Sequence, residues 1–316
     1  MKKLQSVFII FILVFISCLI LINSASVIES VRYSLFIFKE NVFPSLFPFF
    51  ILSDLLINYG FVDFIGNIFK GFMYHFFKVN GSCSFIFFMS IISGNPASAK
   101  YVKELYLSSK INRYEATKML CFSSFASPLF VIGMLSLFLN SKVSLFILFT
   151  HYISNIVVGF ILRFYHPSFY SKGSLKMAVN EMHEKRISSS NFGNVITNSL
   201  INSINDLLLI LGSITVCLVM TTIINNCFHL EGVFKCLLDG LVEMTQGLSY
   251  VNAENISLKL KASFSALFIS FGGLSVHLQM VSILSDTDIK YFPFLLSRIF
   301  CSVFSFLLIF YVIGWV

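Results

Sequence analysis

Long apolar runs separated by short polar patches dominate the chain, and none shows the alternating period of a membrane barrel strand. In lipid such runs must be helices, because a helix satisfies its backbone polar groups within one segment. The pattern predicts crossings at residues 7–22, 42–59, 114–139, 143–164, 200–224 and 292–313. The second is interrupted near its start by Pro44 and Pro48, and the third at Ser127-Pro128. Residues 61–77, which mix aromatics with Asp63, Asn67, Lys70 and His75, read as an interfacial helix, as does the weakly apolar stretch 228–248. Two further runs are short or broken. Residues 83–92 stop at "SGNPASAK" before 97–107 continue with mixed polarity, and 264–284 are divided by Gly272-Gly273.

That order of span, interfacial helix, broken half-span and closing span occurs in 42–139 and again in 200–313. At a constant offset of 178 residues Gly94 falls on Gly272, Ile111 on Ile289 and Tyr114 on Phe292. The expected division is an N-terminal span and interfacial segment (1–40), a first repeat with a hairpin at 83–108 (41–164), a polar cytoplasmic linker (165–195), and a second, inverted repeat with a hairpin at 262–285 (196–316).

Composition turns this pattern into a fold class. The 316 residues are 57% hydrophobic and 12% charged, with a mean hydropathy of +0.86, against roughly a quarter charged in a soluble domain. The expectation is an all-α polytopic membrane protein in which two re-entrant helical hairpins form an inverted repeat. The N-terminal apolar run exceeds the roughly 7–15 residues of a signal-peptide core, so an uncleaved first span is expected. The seven scattered cysteines show no metal or redox spacing and read as small buried hydrophobes.

The net charge of +7 has a topological explanation, since Lys and Arg gather on the cytoplasmic side of membrane proteins. No aromatic-plus-basic module points to nucleic acid, which is not expected as a partner. Charge also sets the hand of the repeat. With Lys2 and Lys3 inside, the first hairpin enters from the inside, where Lys100, Lys103, Lys110, Arg113 and Lys118 follow it. The linker, with Lys172, Lys176, Lys185 and Arg186, is inside as well. The second hairpin then enters from the outside, where its exit "SDTDIK" is more acidic than basic. On this reading Lys100 and Lys118 are cytoplasmic anchors rather than ligands.

The breaks carry the candidate chemistry. Paired discontinuous helices in two inverted halves point to a transporter's midplane site. Asn95 is a favoured N-cap and Pro96 suits the first helical position; Ser127 and Pro128 repeat that signature. Gly272 and Gly273, followed by Ser275, serve the second half. Restarted helices direct free N–H groups and partial positive charge into the break, a seat for a carboxylate.

Ser93, Gly94, His277, Gln279 and Arg298 complete the substrate-binding candidates. Each also has a plainer reading: a packing kink for the glycines and prolines, hydrogen-bonded packing for His277 and Gln279, and snorkelling for Arg298. Glu243 in "EMTQG" reads as a solvated interfacial carboxylate, with a coupling-ion group as the alternative. No phosphate-binding loop, Ser–His pair or metal-ligand set is present, so neither a cofactor nor catalysis is expected. The expected partners are a small anionic solute, the bilayer and a coupling ion; oligomeric state is not legible.

"SGNPASAK", "CFSSFASPLFVIG", "EMTQG" and "SFGGLSVHLQM…SIL" together resemble the YlbJ (SpoVV) sporulation integral membrane protein family, within the wider nucleoside-recognition or gate group. The resemblance runs from about residue 40 to the end. It implies an architecture similar to concentrative nucleoside transporters and a role in moving dipicolinic acid across the outer forespore membrane. The alternatives are transport of another small anion or a nucleoside, or a non-transporting assembly role in the sporulation membrane. One departure is Ser98, where the family often has glycine.

Overall fold

The computed structural model describes residues 2–169, 173–188 and 191–313; Lys172 of the linker lies outside them. Among the described residues there is no strand, and helices succeed one another along the whole chain. The first half contains α1 (Lys2–Ile22), α2 (Ser24–Ile37), α3 (Phe43–Asn58), α4 (Phe61–Ile68), α5 (Lys70–Phe77), α6 (Cys83–Ser93), α7 (Ala97–Leu107), α8 (Arg113–Phe122), α9 (Pro128–Leu135) and α10 (Ser141–Ile161). After α11 (Leu175–Ser188) come α12 (Phe192–Phe228), α13 (Gly232–Val242), α14 (Met244–Ala253), α15 (Leu258–Phe271), α16 (Gly273–Ile283) and α17 (Tyr291–Val312).

Among the described residues six segments are long and apolar enough to cross a membrane: Gln5–Ile22, Ser24–Asn58, Ser141–Phe164, Phe192–Phe228, Leu258–Ile283 and Tyr291–Val312. Phe8, Phe11 and Leu21 on α1, Leu208 and Val216 on α12, and Val303 and Tyr311 on α17 are all exposed. Apolar surface on this scale is stable only against lipid. The chain is an all-α, multi-pass integral membrane protein.

The second span starts earlier than expected, at Ser24, and runs 35 residues to Asn58. Pro44 and Pro48 do not interrupt it. A π-helical turn over Phe38–Val42 precedes Pro44, which sits in the first turn of α3, where a missing N–H matters least. Residues before 40 are therefore not interfacial: Ser30 and Ser34 bond Thr222 and Thr215 of α12 at 2.7 and 2.8 Å. Residues 61–77 form two helices rather than one. Their Asp63 and Asn67 are buried, against Lys110 and Glu181 respectively. That last bond, 2.8 Å from Asn67 Nδ2 to Glu181 Oε2, shows that the linker is not merely polar tether, since α11 packs on α4.

The "SDTDIK" loop is displaced from its expected side. Asp286 pairs with Lys103 at 2.8 Å and Asp288 with Arg113 at 3.3 Å, while the Tyr106 hydroxyl donates to Asp288. The loop and the basic stretch therefore share one end of the molecule. The opposite end holds Asn23 and Asn226, bonded at 3.0 Å, and the start of α13. Lys261 at the start of α15 reaches Asn252 O there, at 2.8 Å. Residues 262–285 thus lead from one end to the other and do not form the expected hairpin. Helix α6 lies against α7, and α13 against α14 with Gly247 on Gly240. By contrast α16 packs on α12, α13 and α7. Cys83, Cys121, Cys217, Cys236 and Cys301 are buried as expected, whereas Cys18 and Cys227 are exposed.

Candidate functional site

Helical backbone is broken at 94–96, 123–127, 243 and 272, and residues beside all four breaks line a single cavity. Asn95 and Pro96 precede α7, Ser127 precedes α9, Glu243 precedes α14, and Gly272 and Ser275 flank the start of α16. The cavity therefore receives the first turns of four helices. Each helix N-terminus carries roughly half a positive charge and N–H groups without intrahelical partners. No Lys, Arg or His lines the space, and Glu243 is its one charged lining residue among the described residues.

The caps differ from one helix to the next. Ser127 Oγ accepts from Phe130 N at 3.2 Å with Pro128 in the first helical position, the arrangement its sequence predicts. Asn95 is not a cap. Helix α7 starts at Ala97 with Pro96 in the cap position, across a cis Asn95–Pro96 bond, and has no side-chain cap. The Asn95 amide is engaged elsewhere: Nδ2 donates to Ser124 O at 3.2 Å, and Oδ1 accepts from Ser124 Oγ at 2.7 Å and from Ser98 Oγ at 3.0 Å. The Ser98 hydroxyl thus faces the 94–96 turn. Helix α16 also lacks a side-chain cap.

Two close approaches fix the breaks against one another in pairs. A Cβ on Gly94 would lie 2.5 Å from Ser127 N, and one on Gly273 would lie 3.0 Å from Met244 N. Gly94 also has φ +79° and ψ −170°, a region nearly exclusive to glycine. Gly94→Ala should lower stability by about 2–3 kcal/mol, from backbone strain and the clash with Ser127. Gly71→Ala, where a Cβ would meet nothing within 4 Å, is the control. Thermal unfolding in detergent reads the difference.

Several candidates lie beside the cavity rather than in it. Ser93 bonds Met89 O and the Tyr101 hydroxyl. His277 binds the Tyr291 hydroxyl at 2.7 Å and Phe271 O at 3.2 Å, whereas Gln279 does line the space. Arg298 does not snorkel; it is 1% exposed. Its guanidinium donates to Cys121 O at 2.7 Å, Ser124 O at 3.1 Å, Ser270 O at 3.5 Å and Asn155 Oδ1 at 2.6 Å. Cys121 and Ser270 sit in the last turns of α8 and α15. Two helix C-termini at roughly minus one half each match one guanidinium. In both broken helices the negative end faces Arg298, and the positive end of the next helix faces the cavity.

The two lysines read as anchors are buried instead. Lys100 pairs with Asp54 at 3.0 Å and Asp206 at 3.1 Å, joining α7 to α3 and α12. Lys118 Nζ donates to Lys78 O at 2.9 Å, beyond the end of α5. Glu243 is likewise not solvated. It is 2% exposed, and its Oε1 accepts from Thr245 N at 3.1 Å and Thr245 Oγ1 at 2.9 Å.

Sequence reasoning missed His151 and Asn155. His151 Nε2 accepts from Ala126 N at 2.9 Å and Nδ1 meets Ser270 Oγ at 3.0 Å, so α10 holds both broken helices. The signal was present: His151, Ser154 and Asn155 share one face of an otherwise apolar span.

A family model described as nucleoside recognition (Gate) matches residues 40–182. The sporulation integral membrane protein YlbJ of Bacillus subtilis (strain 168) is 29% identical over 334 aligned residues, covering 96% of this chain and 82% of that protein. The family resemblance is borne out. The Gate match takes in the breaks at 94–96 and 123–127, and the similarity to YlbJ extends over nearly the whole chain. No solved structure matches it.

Proposed function

We propose that this chain is a sporulation membrane transporter that carries a small aromatic dicarboxylate, dipicolinate, across the outer forespore membrane. The observation that carries the reading is the convergence of four helix N-termini on one cavity without a basic side chain. Such a site attracts carboxylates through backbone N–H groups and helix dipoles. The pairing of α6–α7 with α8–α9, and of α13–α14 with α15–α16, gives two units of like construction. We read them as inverted gate repeats with the hairpins re-entrant from opposite sides. Alternating access then comes from one unit rocking on the other. The similarity to a sporulation membrane protein supplies the setting.

A second reading, nucleoside transport, is favoured by the Gate description and by the amides of Asn95 and Gln279 on the cavity. Uptake of labelled dipicolinate into liposomes carrying the purified protein tests the first reading, with and without imposed ion gradients. Saturable uptake, competed by unlabelled dipicolinate but not by nucleosides, is the expected result. Absence of uptake under every gradient, with folded protein, sinks it; competition by nucleosides alone favours the second.

A further inference from the structure

Glu243 is anomalous in a cavity built to attract an anion. It is 2% exposed and lines the same space as Asn95, Ser127, Gly272 and Ser275. One of its oxygens is held by Thr245, while Oε2, also buried, faces the Ser275 hydroxyl and makes no hydrogen bond of ordinary geometry. Among the described residues no cationic side chain pairs with it. The buried basic groups Lys100 and Arg298 are committed elsewhere, Lys100 to Asp54 and Asp206 and Arg298 to the helix ends. The groups facing Glu243 from neighbouring helices are Ser275 and Gln279 on α16 and Cys217 on α12. On its own hairpin, Asp239 is turned to Asn225, at 2.9 Å.

Two carboxylates brought into one desolvated site do not both remain ionised unless a cation joins them. A metal ion held by main-chain, hydroxyl and amide oxygens is the competing cation, and the sodium arm of the test below separates it from a proton. A proton needs only the one oxygen, Oε2.

We propose that Glu243 is a proton-binding site of the cavity, protonated when an anion occupies it and ionised when the cavity is empty. The balance is simple. A proton bonds to Oε2 as the anion enters, and the same proton leaves with the anion, so one proton and one anion move together. An empty cavity keeps its own carboxylate as the counter-charge to the four helix ends. This rests on the reading of the cavity as an anion site.

The test is equilibrium binding of labelled dipicolinate to the purified protein across a pH series. Wild-type affinity should fall about tenfold per pH unit on the alkaline side, the slope of one linked proton. Glu243→Gln should bind with that slope removed, and Glu243→Asp should retain it. A wild-type slope in Glu243→Gln, or no slope in the wild type, overturns the proposal. So does a sodium dependence that disappears in Glu243→Gln while the pH slope stays. If the wild type binds no dipicolinate at any pH, the substrate reading fails, and infrared titration then decides on Glu243. A protonated-carboxyl band that titrates in the wild type and is missing from Glu243→Gln supports the proton site; an unchanged spectrum overturns it.

Discussion

Lys100→Met should destabilise the protein by about 3–5 kcal/mol, the cost of leaving a buried charge without its partner. Lys100 and Asp54 have side chains only 6% exposed, and the ammonium is ion-paired with carboxylates on two different helices. Removing it strands Asp54 in a site from which water is excluded and leaves Asp206, 28% exposed, to find solvent. Coupling Lys100→Met to Asp54→Asn should recover a large part of the loss, since the second change removes the stranded charge. Thermal unfolding in detergent, with gel filtration to count folded protein, checks both. A single variant as stable as the wild type would show that the pair is not formed.

Arg298→Met should cost about 3–4 kcal/mol, and its effect on transport should be larger than that loss suggests. Hydrogen bonds from a charged donor contribute about 1.5–3 kcal/mol each, and Arg298 makes three short ones, to Cys121 O, Ser124 O and Asn155 Oδ1. The loss is reduced because the variant no longer buries a cation. What remains is two helix C-termini pointing at each other with nothing between them. Arg298→Lys should restore only part, because an ammonium cannot span three acceptors with a rigid fork. Unfolding within about 0.5 kcal/mol of the wild type, the range of an ordinary surface change, would contradict this role.

The sequence made three of the four breaks legible because glycine and proline announce themselves locally at Gly94-Asn95-Pro96, Ser127-Pro128 and Gly272-Gly273. The fourth, at Val242-Glu243-Met244, contains neither residue. It is set by tertiary contact, with the Gly273 backbone pressed against Met244 N. Without it the sequence pairs Gly94 with Gly272, whereas the turn packed like Gly94–Pro96 is the one at Glu243.

The acidic excess of "SDTDIK" misled for a different reason. The positive-inside rule weighs Lys and Arg, and acidic residues contribute little to it. Asp286 and Asp288 answer local cations instead. Lys100 was misread because a lone lysine in sequence says nothing of distant carboxylates on α3 and α12. Ser127 was read correctly because capping is a matter of a few neighbouring residues.

Where the cavity draws its positive character has a practical outcome. It comes from main-chain nitrogens at the starts of α7, α9, α14 and α16, and those atoms are the same in every amino acid except proline. Alanine scanning leaves them in place, so on the proposed reading a survey of side chains finds the walls of this site and overlooks the groups that hold the anion. Ester-for-amide replacement at the first residues of α7 and α16, where no side chain caps the helix, alters the atoms concerned.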